Sequence, residues 1–181
     1  MKNIIFIILS FALFTSCPNT YEARYTQNSP EIDTYKQLLK DYEMGNWEAM
    51  AVHYADTAKI YYNETKKNPR TILESIEEDK KNSMILSSYG YIPDSMEFEM
   101  VVTDDDETWV NFWGVWQGRL AENNKLFEIP SHITIQFVNG KIVKEHGYWN
   151  NTEMALELME LEKQPAEDDP AAEEPEDNLD N

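Results

Sequence analysis

Four hydrogen-bonding side chains gather late in this chain: His132, His146, Tyr148 and Asn150. His146, Tyr148 and Asn150 are spaced by two, so on an extended strand they share one face. His132 belongs to the neighbouring stretch. Imidazole, phenol and amide groups supply donors and acceptors. The set reads as the mouth of a pocket for a small, partly apolar molecule, with Trp113 as an aromatic wall. The alternative is that these residues decorate a solvent face or a dimer seam. Glu145 has the opposite parity and points away from them. Asn150 cannot take up a proton at any useful pH, so the set contains no carboxylate base and no catalytic residue is assigned.

Metal and cofactor chemistry find little support. The chain has three histidines and one cysteine, which makes a zinc ribbon or finger implausible and an intrachain disulfide impossible. Asp104, Asp105, Asp106 and Glu107 lack the spaced ligands and central glycine of a calcium loop and read as a solvated turn. No metal and no cofactor is expected.

Positioning these residues requires a sheet and helices to back it. Ile32, Tyr35, Leu38, Leu39 and Tyr42 fall at helical spacing. Gly45 interrupts, and Asn46 caps a second helix carrying Trp47, Met50, Ala51 and Tyr54. Residues 58–63 read as a strand. Pro69 suits the first turn of a third helix running to about Leu86, with Ile72, Leu73 and Ile76 inward. Its later part, EEDKKN, is polar all round. From Ser95 the period changes to two. Met96, Phe98, Met100 and Val102 alternate, residues 108–120 form a long aromatic strand, and residues 131–138 place Ile133, Ile135 and Phe137 on one face. Asn139-Gly140 is a two-residue hairpin signal, and residues 141–149 return. A closing helix sets Met154, Leu158 and Leu161 on one stripe. Helices followed by segregated antiparallel strands mean an α+β fold.

The ends of the chain carry an address and a tail. Lys2 precedes an apolar run from Ile4 to Phe14, too short to span a bilayer. Thr15 and Ser16 then precede Cys17, the sole cysteine. Residues 1–16 resemble a bacterial lipoprotein signal peptide, with Phe14 where leucine is usual and Cys17 as the lipidated residue. A palmitate-bearing Cys17 would anchor the protein in the cell envelope, and Pro18 in place of aspartate favours the outer membrane, facing the periplasm. Residues 17–30 read as a tether and 31–163 as one domain. Residues 164–181 hold eight acids, no base and three prolines, the composition of a disordered acidic tail. The 181-residue chain carries 34 acidic and 15 basic side chains, a net charge of −19, which argues against nucleic-acid binding.

The order of elements, the Gly45-Asn46-Trp47 turn, the Tyr54-Ala55-Asp56 exit into a strand and the closing HITIQFVNGKIVKEHGYWN resemble the nuclear-transport-factor-two-like superfamily, and within it the SnoaL-like group. The resemblance covers most of residues 31–160. It implies a cone: a curved antiparallel sheet wrapped around about three N-terminal helices, with a C-terminal helix and an apolar pocket at the open end. It also implies a tendency to form a homodimer through the sheet. Enzymes of the group move protons with a pocket carboxylate, commonly an acid after the aromatic pair of the last strand. Here Asn150 follows Tyr148-Trp149. The leading expectation is therefore a lipid-anchored domain that binds a small ligand without catalysis. The alternatives are an isomerase, cyclase or hydratase using the same pocket, divided from the first by whether another acid faces it, and an interaction module acting through the sheet.

Overall fold

The computed structural model describes residues 24–163. The expected signal peptide, Cys17, the start of the expected tether and the acidic residues 164–181 lie outside the described residues. The rest of the expected tether is part of the domain. Tyr25–Thr26 form strand β1, with Tyr25 paired to Val101 and Thr26 to Met100. Ser29 then caps the first helix.

That helix, α1 (Pro30–Glu43), starts where the local chemistry favours it. Ser29 Oγ accepts from the Ile32 amide at 3.3 Å, Pro30 occupies the first turn, and Glu31 and Asp33 complement the exposed amide end. Ile32, Tyr35, Leu38 and Leu39 are buried. The second helix, α2 (Trp47–Ala51), is shorter than its periodicity suggests, because Tyr54 is already in strand β2 (Tyr54–Tyr62). The Ile142 amide bonds to the His53 carbonyl at 3.0 Å, which commits the chain to the sheet. Buried Asp41 ties the two helices together, meeting His53 Nε2 and accepting from Gln37 Nε2, each at 3.1 Å.

Helix α3 (Ile72–Met84) begins three residues after Pro69. Arg70 exchanges two backbone hydrogen bonds with Ile60, holding that stretch extended. Thr71 and Glu74 then form a reciprocal capping box. Ile72, Ser75 and Ile76 face inward.

The remaining strands are β3 (Leu86–Tyr91), β4 (Glu97–Val102), β5 (Thr108–Leu120), β6 (Leu126–Val138) and β7 (Lys141–Trp149), followed by helix α4 (Thr152–Leu161). The sheet runs β1-β4-β5-β6-β7-β2, and β3 also pairs with β5. The pairings are antiparallel except β2 with β7, which is parallel, so the curved sheet is mixed. Strands β4 and β3 lie end to end along one edge of β5. Glu97 pairs with Trp113 and Tyr91 with Trp116, and a short 3₁₀ turn at Pro93–Ser95 bridges the step. Ser95 Oγ accepts from the Val115 amide at 2.9 Å, closing the gap in the ladder.

Val110, Phe112, Ile133, Ile135, Phe137 and Ile142 lie on the concave face and are buried against α1, α2 and α3. A second cluster of Leu120, Phe127 and Ile129 sits at the other end, covered by Met154, Leu158 and Leu161 of α4. The molecule is thus an α+β cone with α4 packed over the second cluster.

Candidate functional site

A cavity of about 360 Å³ opens where the two clusters meet. Tyr35, Leu38, Leu39 and Tyr42 of α1 form one wall, and Ser75, Asp79 and Ser83 of α3 another. The concave sheet contributes Tyr62, Tyr91, Trp116, Ser131, Ile133, Glu145 and Trp149, and Met154 of α4 reaches the rim. Aliphatic and aromatic groups dominate this lining, as in small-molecule sites.

Glu145 is the deepest charged group, 2% exposed. The Tyr54 hydroxyl donates to its Oε2 at 2.5 Å and the Tyr62 hydroxyl to its Oε1 at 2.9 Å. Burial pushes the Glu145 carboxyl above the usual range, and these two phenols pull it part of the way back. The phenols of Tyr54 and Tyr62 are themselves held well above their ordinary value by burial and by the Glu145 charge, so they stay neutral donors.

Asp79 is half-buried on α3. Loss of water, then the Glu145 charge, then Glu78, raise its carboxyl from 3.8 to about 7, against a smaller pull from Arg70. Arg70 is itself ion-paired with Glu78. Among the described residues no hydrogen bond reaches the Asp79 carboxylate. Two acids that disfavour each other's ionisation therefore share one cavity, and one titrates near neutrality. That is the property required of a general acid or base. The Tyr42 hydroxyl accepts from Trp116 Nε1 at 3.1 Å, and Ser75 Oγ, on a residue 1% exposed, has no partner within hydrogen-bond distance but interacts with the Tyr62 phenol.

The residues singled out from the sequence lie elsewhere. Trp113, His132, His146 and Tyr148 are on the convex face, outside the cavity. They form a continuous row of near-parallel rings. Trp113 and His132 are 4.8 Å apart, His132 and Tyr148 6.5 Å, Tyr148 and His146 6.5 Å, and His146 and Tyr61 4.7 Å. Trp113 is 39% and Tyr148 49% exposed. His132 Nδ1 lies 3.0 Å from the Phe112 carbonyl oxygen. Asn150 belongs to neither face. It follows β7, and its side-chain oxygen accepts from the Thr152 amide at 3.0 Å. Placing these residues at the pocket mouth inverts the sheet.

The parity argument itself stands: Glu145 and His146 do point opposite ways. Trp113 and His132 alternate with buried Phe112 and Ile133 and face outward in any register, whereas His146 and Tyr148 are turned outward by a β-bulge. Phe137 pairs with Ile142, but Gln136 pairs with Lys144, so Val143 has no opposite number. Were Val143 paired, the two-residue hairpin would set Glu145 across from outward-facing Thr134. With the bulge Glu145 stands opposite Ile135, on the buried face. Asp79 was hidden in the polar run EEDKKN, yet Ile72, Ser75, Ile76 and Asp79 are spaced i, i+3, i+4 and i+7. An acid on the inward stripe of a helix was the available signal.

Comparison with known proteins agrees with this architecture. Neither a protein-family model nor a curated protein matches the sequence. Solved structures do. IdmH of Streptomyces antibioticus, a candidate polyketide cyclase, is 17% identical with a TM-score of 0.57, the match covering 73% of this chain and 99% of that one. A nuclear-transport-factor-two-like protein of Burkholderia xenovorans is 15% identical at a TM-score of 0.55, covering 72% and 98%. A candidate SnoaL-like polyketide cyclase of Shewanella denitrificans is 13% identical at 0.54, covering 74% and 99%. At these identities the likeness speaks to fold alone: this chain has the cone fold of these nuclear-transport-factor-two-like structures.

Proposed function

We propose that the protein is an envelope domain that binds a small, partly apolar molecule inside the cone. The observation that carries this reading is the cavity itself, about 360 Å³ and walled by aromatic and aliphatic side chains with carboxylates at its base. Trp116 and Trp149 line it, so occupancy changes tryptophan emission. Filling the cavity with Ser131→Phe abolishes the response of any compound that binds there. A response that survives the filled cavity contradicts the site.

A second reading is proton-transfer catalysis of the isomerase or cyclase type, and Asp79 favours it. A carboxyl that titrates near pH 7 beside an apolar substrate can take a proton from carbon and return it, while neutral phenols steady the oxygen that gains charge. The test is deuterium uptake from heavy water at the activated carbon of 2-tetralone, followed by NMR. Uptake faster than in buffer, and lost in Asp79→Asn, supports catalysis. Uptake equal to buffer removes this reading and leaves binding alone.

The location is proposed from the leader. A lipid on Cys17 holds the domain at the outer membrane, facing the periplasm. Palmitate labelling of wild type but not Cys17→Ala supports this, and equal labelling of the two refutes it.

A further inference from the structure

We infer that the occupant of this cavity is a small organic cation, an amine or quaternary ammonium with an apolar arm. The inference rests on the ligand-binding reading above and narrows its chemistry.

The charged lining is lopsided. Glu64, Glu78, Asp79 and Glu145 supply four carboxylates, and Arg70 is the only base among the described lining residues. Arg70 is already engaged by Glu78. The two deeper acids, Asp79 and Glu145, therefore have no cationic partner. The groups that act on Asp79 are Glu145 from β7, Glu78 and Arg70 from the α3 end, and the phenols of Tyr42, Tyr62, Tyr89 and Tyr91 from α1, β2 and β3. Only Arg70 is positive. A buried carboxylate is stable when it is paired, and here the missing partner is a positive charge in the cavity.

The apolar part of the lining suits the same ligand. Tyr42, Tyr62, Tyr91, Trp116 and Trp149 surround the space, and the faces of such rings attract cations, most strongly where water is excluded. Ser75 Oγ supplies an independent sign of a missing group. It lines the cavity on a residue 1% exposed and has no partner within hydrogen-bond distance, only a longer interaction with the Tyr62 phenol. An ammonium N–H or a hydroxyl on the ligand would satisfy it. An anionic ligand would meet four carboxylates. A neutral hydrocarbon would leave Asp79, Glu145 and Ser75 as they are. The net charge of −19 adds a field that draws cations toward the surface.

The experiment uses the full-length chain and three probes of similar size: 2-phenylethylamine, 2-phenylethanol and phenylacetate. Binding is read from tryptophan emission and by calorimetry. The amine is expected to bind roughly tenfold tighter than the alcohol, with the acid weakest. In Asp79→Asn the amine loses this advantage. Should that variant fold poorly, wild type in two buffers of different ionisation enthalpy provides the same information. At about pH 6 the amine displaces a proton from the acid pair and the alcohol does not. An alcohol that binds as tightly as the amine overturns the cation assignment while leaving the cavity a binding site. If none of the three changes the emission at millimolar concentration, the cation assignment and the ligand-binding reading fall together.

Discussion

Replacing Asp79 with asparagine should make the protein more stable at alkaline pH and nearly unchanged in acid. Asp79 titrates at about 7 in the folded chain against an ordinary 3.8. The folded state thus holds this proton more tightly than the unfolded state. Its contribution to stability is fully present below about pH 4 and is lost as pH rises through about 7. At about 1.4 kcal/mol per pH unit the full loss is about 4 kcal/mol. Asp79 keeps some contact with solvent, and relaxation around the charge halves such figures, so about 2 kcal/mol is expected. Asparagine keeps the shape and carries no charge. Urea denaturation of wild type and Asp79→Asn, followed by tryptophan emission at steps from about pH 4 to about pH 8, measures the difference. The other carboxylates titrate in both proteins and cancel, except Glu145. The repulsion between Glu145 and Asp79 is already contained in the raised value of Asp79 and is not added a second time. The curve of variant minus wild type should climb by about 2 kcal/mol across that range. A flat difference, or a variant that loses ground as pH rises, would refute the placement of this acid in a water-poor, acid-rich cavity.

Glu145→Ala strands two phenols and leaves a void, so it should cost about 3 kcal/mol in urea denaturation at neutral pH, with Glu145→Gln costing less. A Cβ at Gly147 would sit 2.5 Å from the Trp149 ring and 2.8 Å from that of Tyr62. Gly147→Ala should therefore destabilise by about 2 kcal/mol and shift the near-ultraviolet dichroism of the displaced rings. Thr71→Ala removes half of the α3 capping box and should cost about 1 kcal/mol, read as a lower thermal midpoint with ligand response intact.

The parts of the fold governed by local chemistry are legible in the sequence. Residues 108–120 and 141–149 are strands over the lengths expected from alternation and the Asn139-Gly140 turn, and the α4 stripe of Met154, Leu158 and Leu161 packs as expected. Strand β3 gave no such signal, because Ser87, Ser88 and Gly90 are poor strand formers and only pairing to β5 holds them extended. The first half of β6 was obscured by Pro130, which breaks most strand patterns yet sits here opposite Val115. The parallel partnership of β2 with β7 joins residues some eighty positions apart and leaves no local trace. The site is least legible, since its two acids depend on one unpaired residue at Val143 and on a polar run that lines the cavity through Glu78, Asp79 and Asn82. Alternation identifies the two faces of a strand but not which one the helices cover.

The unpaired Val143 also sets what this hairpin arm tolerates. Drawing it into the ladder opposite Gln136 would slip the remainder of β7 by one, sending Glu145 and Trp149 outward and bringing Lys144, His146 and Tyr148 inward. Loss of its codon would do no such thing: the bulge would vanish, with Lys144 still opposite Gln136 and Glu145 still opposite Ile135. Lineages with and without the extra residue can therefore keep the same acid on the same side of the wall, and an alignment gap at this one position would still equate like with like.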